Sequence, residues 1–216
     1  MKSFWFKKQN TPELLLFFLG WGMDESAIAH LQMPDCDVLA LYDYTDMTLI
    51  EDLSGYSSIT LVAWSMGVMA ASILAKDLPV SKSIAINGTQ KPVDEKFGIH
   101  PKIYQLTLDN FSEKVRDTFF QNMFDNESDY EKFSAPKRDC QNQKTELEVL
   151  QKVALSQKDF NFEFDYAIIS RRDKIIPYKN QKRFWQTKKI KVVELNSGHY
   201  PFFEFSKLEE IINEAL

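Results

Sequence analysis

The stretch Ala63-Trp64-Ser65-Met66-Gly67 follows the apolar run Ile59-Thr60-Leu61-Val62 and precedes Val68-Met69-Ala70-Ala71-Ser72-Ile73-Leu74-Ala75-Lys76. The first run is short and rich in β-branched residues, as in a buried strand. The second is a string of small and aliphatic residues that reads as a helix. A serine on a sharp strand-to-helix turn, with small residues two positions to either side, has the form of a nucleophile elbow. The turn is so tight that the flanking positions lie where strand and helix nearly touch. Gly67 fits the plus-two position, and Ala63 stands at minus two where glycine is usual, adding one methyl group. A serine here also serves as a plain helix N-cap, so the reading depends on whether catalytic partners lie elsewhere in the chain.

Working outward, short apolar runs alternate with helical patterns. Strands are expected at Ser3 to Lys7, Leu14 to Leu19, Val38 to Tyr42, Ile59 to Trp64, Ser83 to Asn87, Asp165 to Ser170 and Lys191 to Leu195. Helices are expected at Ser26 to Gln32, behind the elbow, at Tyr178 to Gln186 and at Phe203 to Ala215. Strands that read as continuous apolar runs are covered on both faces, so the fold class is α/β with a mainly parallel, doubly wound sheet. Between Asp109 and Phe160 the strand signal stops. Phe111, Val115, Phe119 and Met123 recur at four-residue spacing, and Leu147, Leu150 and Ala154 continue a helical pattern. Residues 109–160 are therefore expected to form a small helical cap insertion, with 1–108 and 161–216 as the core, since a simple crossover rarely needs so long a connection.

Composition sets the outer bounds. The 216 residues, 44% hydrophobic and 26% charged, suffice for one domain with a substantial core. A net charge of −5 gives no general case for nucleic-acid binding. Cys36 and Cys140 fit no Cys-x-x-Cys pattern, which argues against a zinc site or disulfide framework and for a reducing, cytoplasmic compartment. Lys2, Lys7 and Lys8 before Leu14-Leu15-Leu16-Phe17-Phe18-Leu19 mimic a signal peptide. Pro12-Glu13 breaks the approach to that run and glycine closes it, so it reads as a strand. No run reaches the roughly 20 apolar residues of a membrane span.

The elbow's partners are present. His199, in Asn196-Ser197-Gly198-His199-Tyr200-Pro201, follows the last expected strand, and sites in open parallel sheets form at the carboxyl ends of strands. His30 and His100 read as a helix-end and a loop residue. An acid is needed to hold the imidazole tautomer. Asp173, in Arg171-Arg172-Asp173-Lys174, follows another strand, with Asp109 as its rival. The chain order Ser65, Asp173, His199 is that of the α/β-hydrolases. Two backbone N–H donors are needed for an oxyanion hole, and Met66 and Trp21 of Gly20-Trp21-Gly22 are the candidates. Four of the seven glycines, Gly20, Gly22, Gly67 and Gly198, fall in these loops. Trp64, Tyr200 and Phe202 are candidates for the acyl pocket. The implied chemistry is two-step acyl transfer through an acyl-serine, with no metal or cofactor.

Phe18-Leu19-Gly20-Trp21-Gly22-Met23-Asp24, Tyr42-Asp43-Tyr44, the elbow, Ile86-Asn87-Gly88-Thr89, Arg171 to Pro177 and Ser197-Gly198-His199-Tyr200-Pro201-Phe202 together resemble the BioG-type pimeloyl-[acyl-carrier-protein] methyl ester esterases. The resemblance implies the α/β-hydrolase fold and removal of the methyl ester from pimeloyl carried on acyl carrier protein, in biotin synthesis. It implies Ser65 as nucleophile, Asp173 as acid, His199 as base, and Trp21 and Met66 as oxyanion donors. Apart from the resemblance, the chain is expected to be a monomer with no nucleic-acid or membrane partner. From Tyr166 to Val193 nine Lys or Arg accompany a single acid, a charge bias suited to an acidic carrier. Two other readings stay open: a general small-acyl carboxylesterase or thioesterase, and a catalytically silent hydrolase fold that only binds.

Overall fold

Alternate residues of the central strands face opposite layers, and that alternation organises the molecule. The structure is a computed structural model describing residues 1–156, 160 and 162–215. Seven strands form one sheet: β1 (Lys2–Lys7), β2 (Glu13–Phe18), β3 (Asp37–Tyr42), β4 (Ser58–Trp64), β5 (Val80–Ile86), β6 (Tyr166–Ser170) and β7 (Lys191–Leu195). Their spatial order is β1-β3-β2-β4-β5-β6-β7. Only β1 runs antiparallel to its neighbour. Leu14, Leu16 and Phe18 of β2, Leu39 and Leu41 of β3, and Leu61 and Ala63 of β4 face one core. Leu15 and Phe17, Val38 and Ala40, and Val62 and Trp64 face the other. The run that imitates a signal peptide is thus the strand β2, every residue from Leu14 to Phe18 buried. Each such side chain contributes about 1.5–3 kcal/mol relative to exposure.

Helices cover both faces. On the first lie α1 (Gly67–Leu74), α2 (Pro101–Asp109), α5 (Cys140–Ser156) and α6 (Tyr178–Lys188). On the second lie α7 (Leu208–Glu214), the turn Phe202–Glu204 and Phe120 of α3 (Glu113–Asn122). With the short α4 (Glu127–Lys132), the four helices α2 to α5 all fall between β5 and β6, starting from Pro101. Residues 157–159 of the expected 109–160 insertion, and residues 161 and 216 of the expected core, lie outside the described residues. No helix among the described residues is long and apolar enough to cross a membrane.

Two expected helices differ. Ser26 to Gln32 is no helix but a single turn, Glu25–Ala27, begun by Asp24 accepting the Ser26 N–H. Gln32 is drawn away to a backbone exchange with Ser206 and Leu208. The expected helix from Phe203 to Ala215 is split, with Phe205 extended. The Glu210 side chain captures the N–H groups of Ser206 and Lys207, and the helix restarts only at Leu208.

Candidate active site

Parallel strands bring their carboxyl ends to one edge, and three loops meet there. Ser65 follows β4, Asp173 follows β6, and His199 follows β7. Ser65 takes φ +58, a left-handed value that a non-glycine residue holds only when its surroundings impose it. Its N–H donates to Ile86 O at 2.9 Å, and its carbonyl accepts the Val68 N–H at 3.1 Å, locking the turn from β4 into α1.

The three side chains form an unbroken, buried relay. His199 Nε2 is 2.8 Å from Ser65 Oγ, and His199 Nδ1 is 2.7 Å from Asp173 Oδ2. A carboxylate only accepts, so Nδ1 carries the proton and the Nε2 lone pair faces the hydroxyl. Asp173 is itself fixed. Its Oδ1 accepts the N–H groups of Ile175 and Ile176 at 2.8 and 2.9 Å, and Oδ2 accepts from Gln181 Nε2 at 2.8 Å. The His199 carbonyl accepts from Trp64 Nε1 at 2.9 Å and from Asn87 Nδ2 at 3.0 Å. Asn87 also accepts the Ser170 N–H at 2.7 Å, tying the ends of β5 and β6 to the histidine loop.

Gly20-Trp21-Gly22 runs beside the elbow. A Cβ on Gly20 would stand 3.2 Å from the Ser65 Cβ, so the loop passes in close contact with the serine. Among the described residues no protein acceptor meets the N–H of Trp21 or of Met66. A cavity of about 360 Å³ opens at this point. Ser65, Met66 and Trp21 line it together with Ile103, Val115, Phe119 and Leu147, and the exposed Lys114 and Lys174 add two cations to its lining. An apolar cavity with a few polar groups converging on one end is the usual form of a small-molecule site.

The remaining candidates fall elsewhere. Asp109 ends α2 on the surface, where it accepts from Gln105. His100 caps α2 by accepting the Lys102 N–H. His30 lies against Phe203 with Nε2 3.2 Å from Phe202 O, and burial pushes its pKa down. The pocket expectation for Trp64, Tyr200 and Phe202 needs correction, because none lines the cavity. Trp64 follows Ala63 on the strand and so points to the opposite face, where it packs on Phe202 and Tyr200. The Tyr200 hydroxyl donates to Ala27 O, and Phe202 packs on Phe17. Gln181, Asn87, Glu146 and Arg138, all buried and all bonded to the site's loops, were not expected. Gln181 lies in the first turn of α6, eight residues beyond Asp173, and none of the four carries a local signal. Cys36 and Cys140 are free, and no described cluster of three His, Cys, Asp or Glu could hold a metal ion.

Residues 1–211 match the family model described as "Pimeloyl-ACP methyl esterase BioG". A malonyl-[acyl-carrier protein] O-methyltransferase of Bacteroides fragilis (strain 638R) is 39% identical over 209 residues. That match covers 94% of this chain and 41% of the relative, so the chain spans less than half of that protein's length. The crystal structure of BioG from Haemophilus influenzae superimposes with a TM-score of 0.93 at 33% identity, over 97% of this chain and 99% of that one. The enol-lactonase of Burkholderia xenovorans LB400 has a TM-score of 0.68 at 11% identity, covering 99% and 95%, a likeness of fold alone. The fold is that of the α/β-hydrolases.

Proposed function

The chain belongs to the pimeloyl-ACP methyl esterase BioG family, and on that footing we propose that it is a serine esterase hydrolysing the methyl ester of pimeloyl-[acyl-carrier protein] in biotin synthesis. The observation that carries the serine mechanism is the relay from Ser65 through His199 to Asp173, with both links under 3 Å and its serine end in the cavity wall. His199 Nε2 accepts the Ser65 proton as Oγ attacks the ester carbonyl. The N–H groups of Trp21 and Met66 receive the oxyanion, a contribution of about 3 kcal/mol for each donor. The tetrahedral intermediate expels methanol, which takes its proton from His199 Nε2. Water, deprotonated by the same nitrogen, then attacks the acyl-serine, releasing the free carboxylate and restoring Ser65. The pimeloyl thioester to the carrier is untouched.

Helix α2 and the described part of the 109–160 segment, α3 to α5, act as a cap. Residues from α2, α3 and α5 form the cavity wall facing Ser65, and their apolar side chains suit an aliphatic acyl chain. Lys114 and Lys174 in that lining suit the approach of an acidic carrier.

Two assays test the reading. The natural protein should restore growth without biotin to a strain lacking its pimeloyl methyl ester esterase, and Ser65→Ala should not. Purified protein should release methanol from the carrier-bound ester. Soluble natural protein that does neither overturns the biotin assignment. A Ser65→Ala variant that keeps the natural rate overturns the serine mechanism.

A further inference from the structure

Glu146, in the middle of α5, is fully buried, and neither its sequence position nor the reaction accounts for a carboxylate there. Its two oxygens serve two loops. Oε2 accepts the Gly22 N–H at 2.9 Å, and Oε1 accepts the Tyr44 N–H at 2.9 Å. Arg138 Nη1 sits 2.8 Å from Oε2 and donates to Met23 O at 3.0 Å, while Nη2 reaches Asp43 at 3.0 Å. Gln143, one turn before Glu146, donates from Nε2 to Gly22 O at 2.8 Å and accepts the Trp21 Nε1–H on its carbonyl at 2.8 Å. Burial pushes the Glu146 carboxyl up, opposed by Arg138 and the two N–H groups.

What these contacts hold is a single turn. The Met23 N–H donates to Gly20 O at 3.4 Å, closing a four-residue turn from Gly20 to Met23, and Gly22 takes φ +75 at its third position. That is the type II arrangement, which differs from type I by rotation of the central peptide, here Trp21–Gly22. The Gly22 N–H belongs to that peptide, so the Glu146 carboxylate holds it in the type II orientation. The carbonyl that closes the turn, Gly20 O, belongs to the same peptide as the Trp21 N–H. The direction of that N–H is therefore set by the turn. A merely structural ion pair would need only Arg138. Acceptance of two N–H groups from the loops after β2 and β3 is what a clamp on the turn requires.

The geometry points to Glu146 as a positioning residue: braced by Arg138, it fixes the Gly20–Met23 turn so that the Trp21 N–H is aimed before substrate arrives. The role rests on the esterase reading given above and deepens it. Glu146→Gln keeps the volume but presents an amide NH₂ where one backbone N–H now finds an oxygen. The test measures kcat and KM on a small methyl ester, with the active serine titrated by a fluorophosphonate. It also measures the affinity of a trifluoromethyl ketone, whose serine adduct carries an oxyanion. The expected result is a fall of about 10- to 100-fold in kcat per titrated serine, as for a displaced oxyanion donor, with a parallel loss of ketone affinity and an unchanged KM. A merely structural role would lower Tm and the titrated fraction while leaving both quantities per serine intact. If Glu146→Gln does not fold, Gln143→Leu, which removes the donor to Gly22 O, carries the same test. Natural kcat and ketone affinity per serine in the variant overturn this inference alone. A natural protein that neither titrates nor hydrolyses overturns the esterase reading, and this one with it.

Discussion

Gly67→Ala is the sharpest test of how the elbow works. A Cβ at Gly67 would lie 2.4 Å from Phe18 O, 2.6 Å from Leu19 O and 2.9 Å from Phe18 C. Ordinary contact begins at 3.4 Å, so the methyl would intrude by about 1 Å. All three atoms are main chain at the end of β2, and none can swing aside as a side-chain tip would. Overpacking costs about 1–3 kcal/mol, and conflict with two carbonyls puts this case near 3 kcal/mol. For a chain of this size that is a fall in Tm of roughly 6–12 °C. Phe18 and Leu19 lead directly into Gly20-Trp21-Gly22, so the strand end carries the proposed oxyanion donor, the Trp21 N–H, with it as it moves off the elbow. A displacement of about 1 Å costs on the order of 100-fold in rate. Thermal melts and steady-state kinetics on a small methyl ester should show both losses, chiefly in kcat. Gly55→Ala is the control, since nothing lies within 4 Å of a Cβ there. If Gly67→Ala melted and turned over like the natural protein, close approach of β2 to the elbow would have no part in building the site.

Asp173→Asn should lower kcat by about 10⁴-fold with little change in KM, because its amide would face Nδ1 and favour the wrong imidazole tautomer; a loss under tenfold would refute the assigned role. Asp37 bears on acid stability. Burial pulls its carboxyl up, but the bonds it accepts from Gln9, Thr11 and Tyr56 outweigh that and hold its pKa below the usual value. A lowered folded-state pKa gives stability that is present above the unfolded value near 4 and lost as pH falls through the folded one. Urea titrations should therefore find Asp37→Asn less stable at pH 7 and less steeply destabilised in acid, and identical acid limbs for both proteins would count against this. Added salt should slow turnover of the carrier-bound ester far more than that of a small free ester, as long-range steering requires; equal sensitivity would remove the electrostatic docking argument.

What could be read from the chain is what depends on short-range pattern. β2 to β6 are runs in which alternate residues serve opposite cores, so the strands and the edge where Ser65, Asp173 and His199 meet follow from hydrophobicity and turn chemistry, whereas the order of the strands in the sheet does not. The methyl of Ala63 is no flaw, since it is fully buried on β4 between Phe18 and Ala85 in the sheet. The aromatic pocket failed for a reason the same pattern contains. Neighbours on a strand face opposite ways, so Trp64 cannot share a face with Ala63, and proximity in sequence to a reactive residue says nothing about which layer a ring enters. Tyr200 and Phe202 follow Trp64 into the second core and brace the histidine loop from behind. Glu146 lies beyond any such reading. In sequence it is one charge among Lys144, Glu148 and Lys152 on a polar helix, and its partners Gly22 and Tyr44 are 124 and 102 residues away. A buried carboxylate is intelligible only through the groups that satisfy it, and here those are backbone N–H groups, which every non-proline residue carries. The relay of Ser65, His199 and Asp173 was legible because its side chains are chemically distinctive; the proposed clamp on the Gly20–Met23 turn was not, because half of it is main chain.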